Sequence, residues 1–187
     1  MITLFMSSSN DSRDCAIREA IDIAEYNLGM PITVYPTPDK ASWCLAKSNL
    51  AEELASRLHN NGFDMSSARI FMLRKDIHTS YTNWCFGATT GKTILISDYR
   101  VWFTECTYYE KVAMLVYLIE HEVGHAYGVA DDIRAEGIYD YHCFEPNCVM
   151  QQVISMLDLR QKAKQVFLAH KEPGCFCEHC RRRFARL

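Results

Sequence analysis

Residues 121–128 read His-Glu-Val-Gly-His-Ala-Tyr-Gly, two histidines four apart with a glutamate beside the first. On a helix, positions four apart share a face, so His121 and His125 can direct two imidazoles at one cation. Glu122 then stands next to that cation, where a carboxylate can take a proton from a water. Catalytic zinc requires three protein ligands and an open fourth position, so the pattern points to metal-assisted hydrolysis. Gly128 follows His125 by three residues, and glycine adopts the left-handed geometry that turns a chain sharply at a helix end. A turn there brings a residue just beyond it back under the metal, and Asp131 holds that place by spacing. The competing reading is a helix with two histidines and no metal. Val112, Leu115, Ile119, Val123 and Tyr127 mark the helix as partly buried, so each histidine would then need its own hydrogen-bond partner.

Further along, His142-Cys143-Phe144-Glu145-Pro146-Asn147-Cys148-Val149-Met150 has the form HCxxxxCxM, and Cys177-Glu178-His179-Cys180 is a CxxC. With the HExxHxxGxx(H/D) spacing of the metzincin zinc endopeptidases, this set resembles the archaemetzincin family, whose pattern is HExxHxxGxxHCxxxxCxM followed by CxxC. The resemblance implies that His121, His125 and a third residue hold a catalytic zinc, with Glu122 as general base. It also implies that Met150 forms the Met-turn beneath the metal, and that Cys143, Cys148, Cys177 and Cys180 hold a second, structural zinc. The motif-bearing part runs from about Val112 to Cys180; the N-terminal half matches only in its coarse α/β order. The chain departs from the pattern at one point: residues 129–141 separate Gly128 from His142-Cys143. Asp131 keeps the glycine-to-ligand spacing of the wider clan, and His142 keeps the His-Cys adjacency of the closer family. Asp131 is preferred, because the turn after Gly128 governs what reaches the metal; His142 is the alternative. The gap from Met150 to the CxxC is also longer than the family pattern.

Four thiolates give a closed tetrahedral site that stabilises structure and does no chemistry. Disulfides Cys143–Cys148 and Cys177–Cys180 are the competing arrangement; Cys175 is an alternative to Cys177, and His179 or His170 to a sulfur. The nine cysteines come with no visible secretion signal, since residues 1–6 are too short for one and lack a basic flank. A reduced cytoplasmic compartment follows as the expectation, with no propeptide and with clustered cysteines as metal ligands. Cys15, Cys44, Cys85 and Cys106 lie among apolar residues and read as buried thiols. A net charge of −3 gives no general attraction to nucleic acid or anionic membranes. The basic run Arg181-Arg182-Arg183 with Arg186 reads as a solvated tail. No apolar run reaches membrane-spanning length.

The elements that must position these residues follow from apolar periodicity. Residues 2–6, 32–35 and 68–73 read as strands, and residues 11–27 and 50–59 as helices. Residues 81–86 and 93–97 read as an antiparallel pair joined by a glycine-containing turn. A long helix over 108–128 carries the metal motif, and another is expected between about 150 and 170. Trp84 and Phe86, with the strand at 93–97, are candidates for an edge that pairs with an extended peptide. Tyr108, Tyr109 and Tyr139 are candidates for substrate contact or oxyanion stabilisation.

The expected fold class is α/β (α+β): a metzincin-like mixed twisted sheet with an active-site helix and a small helical, Cys-rich C-terminal part. One domain spans residues 1–187, with sheet and active-site helix in 1–128 and Met-turn, helix and Cys cluster in 129–187. The function expected is zinc-dependent hydrolysis of peptide bonds in a peptide or protein substrate, by a monomer holding one catalytic and one structural Zn2+. The alternative is a catalytically weak zinc-binding adaptor on the same fold. A zinc-ribbon nucleic-acid binder would leave the HExxH motif unexplained.

Overall fold

The computed structural model describes residues 1–7, 11–63, 66–129, 142–169 and 175–185. Strand β1 (Ile2–Met6) leads into helix α1 (Ser12–Leu28), whose start is capped by Asp11 accepting from the Asp14 amide. Gly29, at φ 63°, ends α1 in the left-handed conformation that favours glycine. Strand β2 (Ile32–Pro36) follows, then helices α2 (Asp39–Leu45) and α3 (Ala51–Asn60), and strand β3 (Ala68–Leu73). Strands β4 (Ile77–Thr79), β5 (Thr82–Cys85), β6 (Gly87–Thr90) and β7 (Thr93–Ser97) come next. The remainder is helical: α4 (Tyr99–Phe103), α5 (Tyr108–Ala126), α6 (Met156–Ala169) and α7 (Glu178–Phe184).

The main sheet has the order β2-β1-β3-β7-β6, parallel except for β6, which runs antiparallel to β7 at the edge. The inner strands β3 and β7 are buried on both faces, which explains their nearly continuous apolar runs, whereas the edge strands β2 and β6 are more exposed. Ile2, Leu4, Ile70, Ile94 and Ile96 share one core with α1 and α5. Phe71, Leu73 and Leu95 pack on the other face against Ala41, Leu54 and Leu58 of α2 and α3. The architecture is therefore a mixed α/β sheet layered between helices, with a Cys-rich helical C-terminal part. An Arg13–Asp98 ion pair, buried at both ends, ties α1 to the residue that follows β7. Among the described residues, no helix is long and apolar enough to cross a membrane.

The expected pairing of residues 81–86 with 93–97 is not the one found. Residues 82–85 form β5 and pair with β4, while Gly87–Thr90 makes the hairpin with β7 around a turn at Gly91, φ 59°. Gly-Ala-Thr-Thr has no apolar alternation to mark it as a strand, and the neighbouring aromatic run masked the boundary. The helix after Met150 begins later than expected, at Met156, because residues 148–151 are occupied by turns.

Candidate active site and metal centres

Helix α5 is built to hold its last turns still. Thr107 and Glu110 close a reciprocal capping box at its start, and Arg160 of α6 bonds Glu110 there. Val112, Leu115, Val116, Ile119 and Val123 are buried along it. At its carboxyl end the Lys92 ammonium donates to the Ala126 carbonyl at 2.8 Å, placing a cation where the helix dipole is negative. Gly128, at φ 67°, turns the chain out of the helix.

On this frame His121 and His125 share one face, with His125 Nε2 3.0 Å from His121 Nε2. The Val149 carbonyl lies 2.8 Å from His121 Nδ1. That carbonyl can only accept, so it fixes the proton on Nδ1 and leaves Nε2 with a free lone pair. Burial, with His125 and His142 beside it, holds the His121 pKa well below its ordinary value, so the ring is neutral. The His142 ring completes the group, 5.2 Å from the His121 ring and 5.1 Å from that of His125, centroid to centroid. One ligand atom from each of the three lies within 4.8 Å of the others. Ligands bound at zinc–nitrogen distances of about 2.0–2.1 Å stand roughly 3.3 Å apart in a tetrahedron. Three imidazoles at such spacing fit a zinc ion. Asp131, the other candidate ligand, lies outside the described residues.

Glu122 is buried at the wall of the same cleft, and burial pushes its pKa up to about 7, against a hydrogen bond from Thr89 that lowers it. Thr89 Oγ1 donates to Glu122 Oε2 at 2.7 Å. Gly87, two residues earlier on β6, packs so closely that a Cβ there would overlap the Glu122 carboxylate. The cleft, about 1190 Å³, runs past β6, His121, Glu122, His125 and His142, with Trp84, Tyr117 and Val153 among its apolar walls.

Beneath the helix, Met150 is fully buried against Gly124, where a Cβ would overlap its sulfur. Gly124 is the residue inside the HExxH motif that lets this chain pass under it. The Met150 carbonyl accepts from the Cys143 amide at 2.8 Å, closing the segment between the two cysteines.

Cys143, Cys148, Cys177 and Cys180 each bring a sulfur within 4.8 Å of the other three. All nine cysteines are unbridged, so the arrangement is a thiol cluster rather than the pair of disulfides weighed from sequence. Backbone amides of Glu145 and Cys177 donate to Cys143 Sγ and Cys148 Sγ. Hydrogen bonds from Cys148 and Cys180 push the Cys143 thiol pKa down. Four sulfurs with amide support are the donor set of a closed zinc site. Cys175 is outside the set: its buried thiol meets Glu120, and its carbonyl accepts from the Val149 amide. His179 is exposed, and His170 lies outside the described residues.

Other expected residues stand elsewhere. Tyr108 and Tyr109 sit at the opposite end of α5 from His121, about 20 Å away at the helical rise. Tyr139 lies outside the described residues. Tyr81 and Tyr117 are the tyrosines that line the cleft among the described residues, and the Tyr117 hydroxyl donates to the Gln151 carbonyl at 2.9 Å. Cys44 is buried as expected, but Cys15 is exposed and Cys85 and Cys106 are half-buried. Sequence reasoning passed over Gly87, Thr89 and Gly124; the only signal was two glycines in ordered elements, each of which marks a close approach.

The fold has known counterparts. An archaemetzincin from Methanopyrus kandleri superimposes with a TM-score of 0.68 at 19% identity, covering 99% of this chain and 93% of that one. A zinc-dependent peptidase from Methanocorpusculum labreanum gives 0.67 at 15% identity, covering 98% and 100%. The archaemetzincin from Archaeoglobus fulgidus, complexed with malonate, gives 0.65 at 18% identity, covering 97% and 98%. No family model matches the chain, and no curated protein matches it. The class that emerges is the archaemetzincin fold, over nearly the whole chain.

Proposed function

We propose that the protein is a zinc-dependent peptidase of metzincin type, resembling the archaemetzincins. The observation that carries this reading is the convergence of His121, His125 and His142 beside a buried carboxylate, Glu122, in one open cleft. His142 is the third ligand in this reading. Zinc held there would polarise the scissile carbonyl and lower the pKa of a neighbouring water to about 7. Glu122 would take a proton from that water and pass it to the departing amine. Its pKa of about 7 suits both halves of that task near neutral pH. The outer edge of β6 bears main-chain groups able to pair with an extended substrate, presenting its peptide bond to the histidines. Met150 serves as the Met-turn, a sulfur-bearing floor fitted against Gly124. Cys143, Cys148, Cys177 and Cys180 hold a structural zinc that fastens the C-terminal segment to the histidine-bearing loop. The chain acts on peptide or protein substrates as a cytoplasmic monomer.

The test is Glu122→Ala, assayed for zinc per chain and for cleavage of a quenched-fluorescent peptide library. Retention of two zincs with turnover reduced at least about a hundredfold supports the peptidase. A wild-type protein that binds zinc yet cleaves nothing favours the adaptor alternative.

A further inference from the structure

We propose that Thr89 is the positioning residue for the general base, an inference that rests on the peptidase reading above. A glutamate side chain ends in a broad, roughly two-fold torsion, so burial alone does not choose which carboxylate oxygen faces the substrate. Among the described residues, Thr89 is the only hydrogen-bond donor to the Glu122 carboxylate, reaching Oε2 at 2.7 Å. The same hydroxyl lies 3.2 Å from the Glu122 main-chain carbonyl, so it sits over the residue as a whole. Strand alternation puts Gly87 and Thr89 on one face of β6, toward α5, while Ala88 between them packs with the α2 and α3 core. The missing side chain of Gly87 completes the seat, because any Cβ there would strike Oε1. Thr89 thus engages Oε2, and Gly87, lacking a side chain, leaves room for Oε1. Oε1 is therefore the atom with spare capacity to accept a proton. The strand that offers its edge to a substrate is also the strand that aims the base.

The role predicts an effect on turnover rather than on substrate binding or metal binding. Thr89→Val keeps the side-chain shape and removes the donor; Thr89→Ser keeps the donor. With a peptide selected from the quenched-fluorescent library, Thr89→Val should lower kcat about 10- to 100-fold. KM should stay within about twofold and zinc per chain should be unchanged. Thr89→Ser should recover kcat to within about threefold of wild type. A kcat for Thr89→Val within about twofold of wild type overturns the proposal, as does a Thr89→Ser variant as slow as Thr89→Val. A second readout needs no activity: thermal midpoints of the Thr89→Val change, made with Glu122 present and in Glu122→Ala. The hydrogen bond predicts a drop of several degrees in the first background and a clearly smaller one in the second, where the hydroxyl keeps only the main-chain oxygen of residue 122; equal drops overturn it. A library left uncut by wild type removes the peptidase reading and the positioning role together. A library cut normally by Thr89→Val removes the positioning role alone.

Discussion

The Nδ1 atom of His121 lies 2.8 Å from the main-chain oxygen of Val149, a residue contributed by the far side of the site. The Val149 amide is itself held by the Cys175 carbonyl at 2.9 Å, and its neighbour Cys148 supplies a sulfur to the thiol cluster. Val149 therefore links the two groups: its oxygen orients a histidine, and the residue before it belongs to the sulfur set. His142 and Cys143 repeat the arrangement, adjacent in sequence and divided between the same two centres.

Disturbing the sulfur cluster should consequently weaken the histidine site. Cys148→Ser is expected to lose the structural zinc and to lower zinc affinity at the histidines about 10- to 100-fold, the cost typical of losing a ligand's outer support. Competition against a chromophoric chelator, with zinc per chain from elemental analysis, measures both. An unchanged affinity at the histidines would show that the two centres are independent.

The third ligand can be assigned by subtraction. His142→Ala is expected to remove the zinc that His121→Ala also removes, leaving one per chain in the sulfur cluster, whereas Asp131→Asn should retain two. Elemental analysis of the three variants reads this directly. The opposite pattern would give the ligand role to Asp131.

Glu120, next to His121 but facing away toward α1, should give stability a distinctive dependence on pH. Asn27 donates to its Oε1 at 2.7 Å, yet burial pushes its pKa from 4.5 to about 8. Between those values the unfolded chain has released the proton and the folded chain has kept it. Stability therefore falls as pH rises through about 4.5 to 8, then levels off. The wild type should lose ground to Glu120→Gln across this window, by an amount on the order of a few kcal/mol. Urea unfolding of both proteins at pH 5, 6.5 and 8 measures the difference; parallel curves would mean that Glu120 ionises normally.

The parts legible in the sequence are those whose signal is local. His121 and His125 announce a helix face because their spacing is about one helical turn, and α5 carries both on that face with Glu122 beside them. Strands β1, β3 and β7 are marked by short apolar runs such as Ile94-Leu95-Ile96, because both faces of the sheet are buried. The seat for Glu122 was not legible, since nothing in Gly-Ala-Thr-Thr says that this strand will lie against a helix more than thirty residues away. The orienting group for His121 is a main-chain carbonyl, which every residue possesses, so no residue type betrays it. Gly124 carries a signal only in retrospect: a glycine near the end of a buried helix marks the passage of Met150 beneath it. The third ligand was not legible from spacing, because residues 129–141 separate Gly128 from His142 and leave Asp131 and His142 each matching one part of the pattern.

Because Val149 hangs from Cys175, and the sulfur set closes only with Cys177 and Cys180, the chain carries its own timetable. During synthesis the sheet and α5 are finished, with His121 and Glu122 in place, while the residues that orient His121 are still unmade. On the peptidase proposal, the site can be complete only after Cys175, Cys177 and Cys180 have been made. A chain that has reached α5 but not residues 142–149 holds His121 and Glu122 without the Val149 carbonyl or the His142 ring beside them.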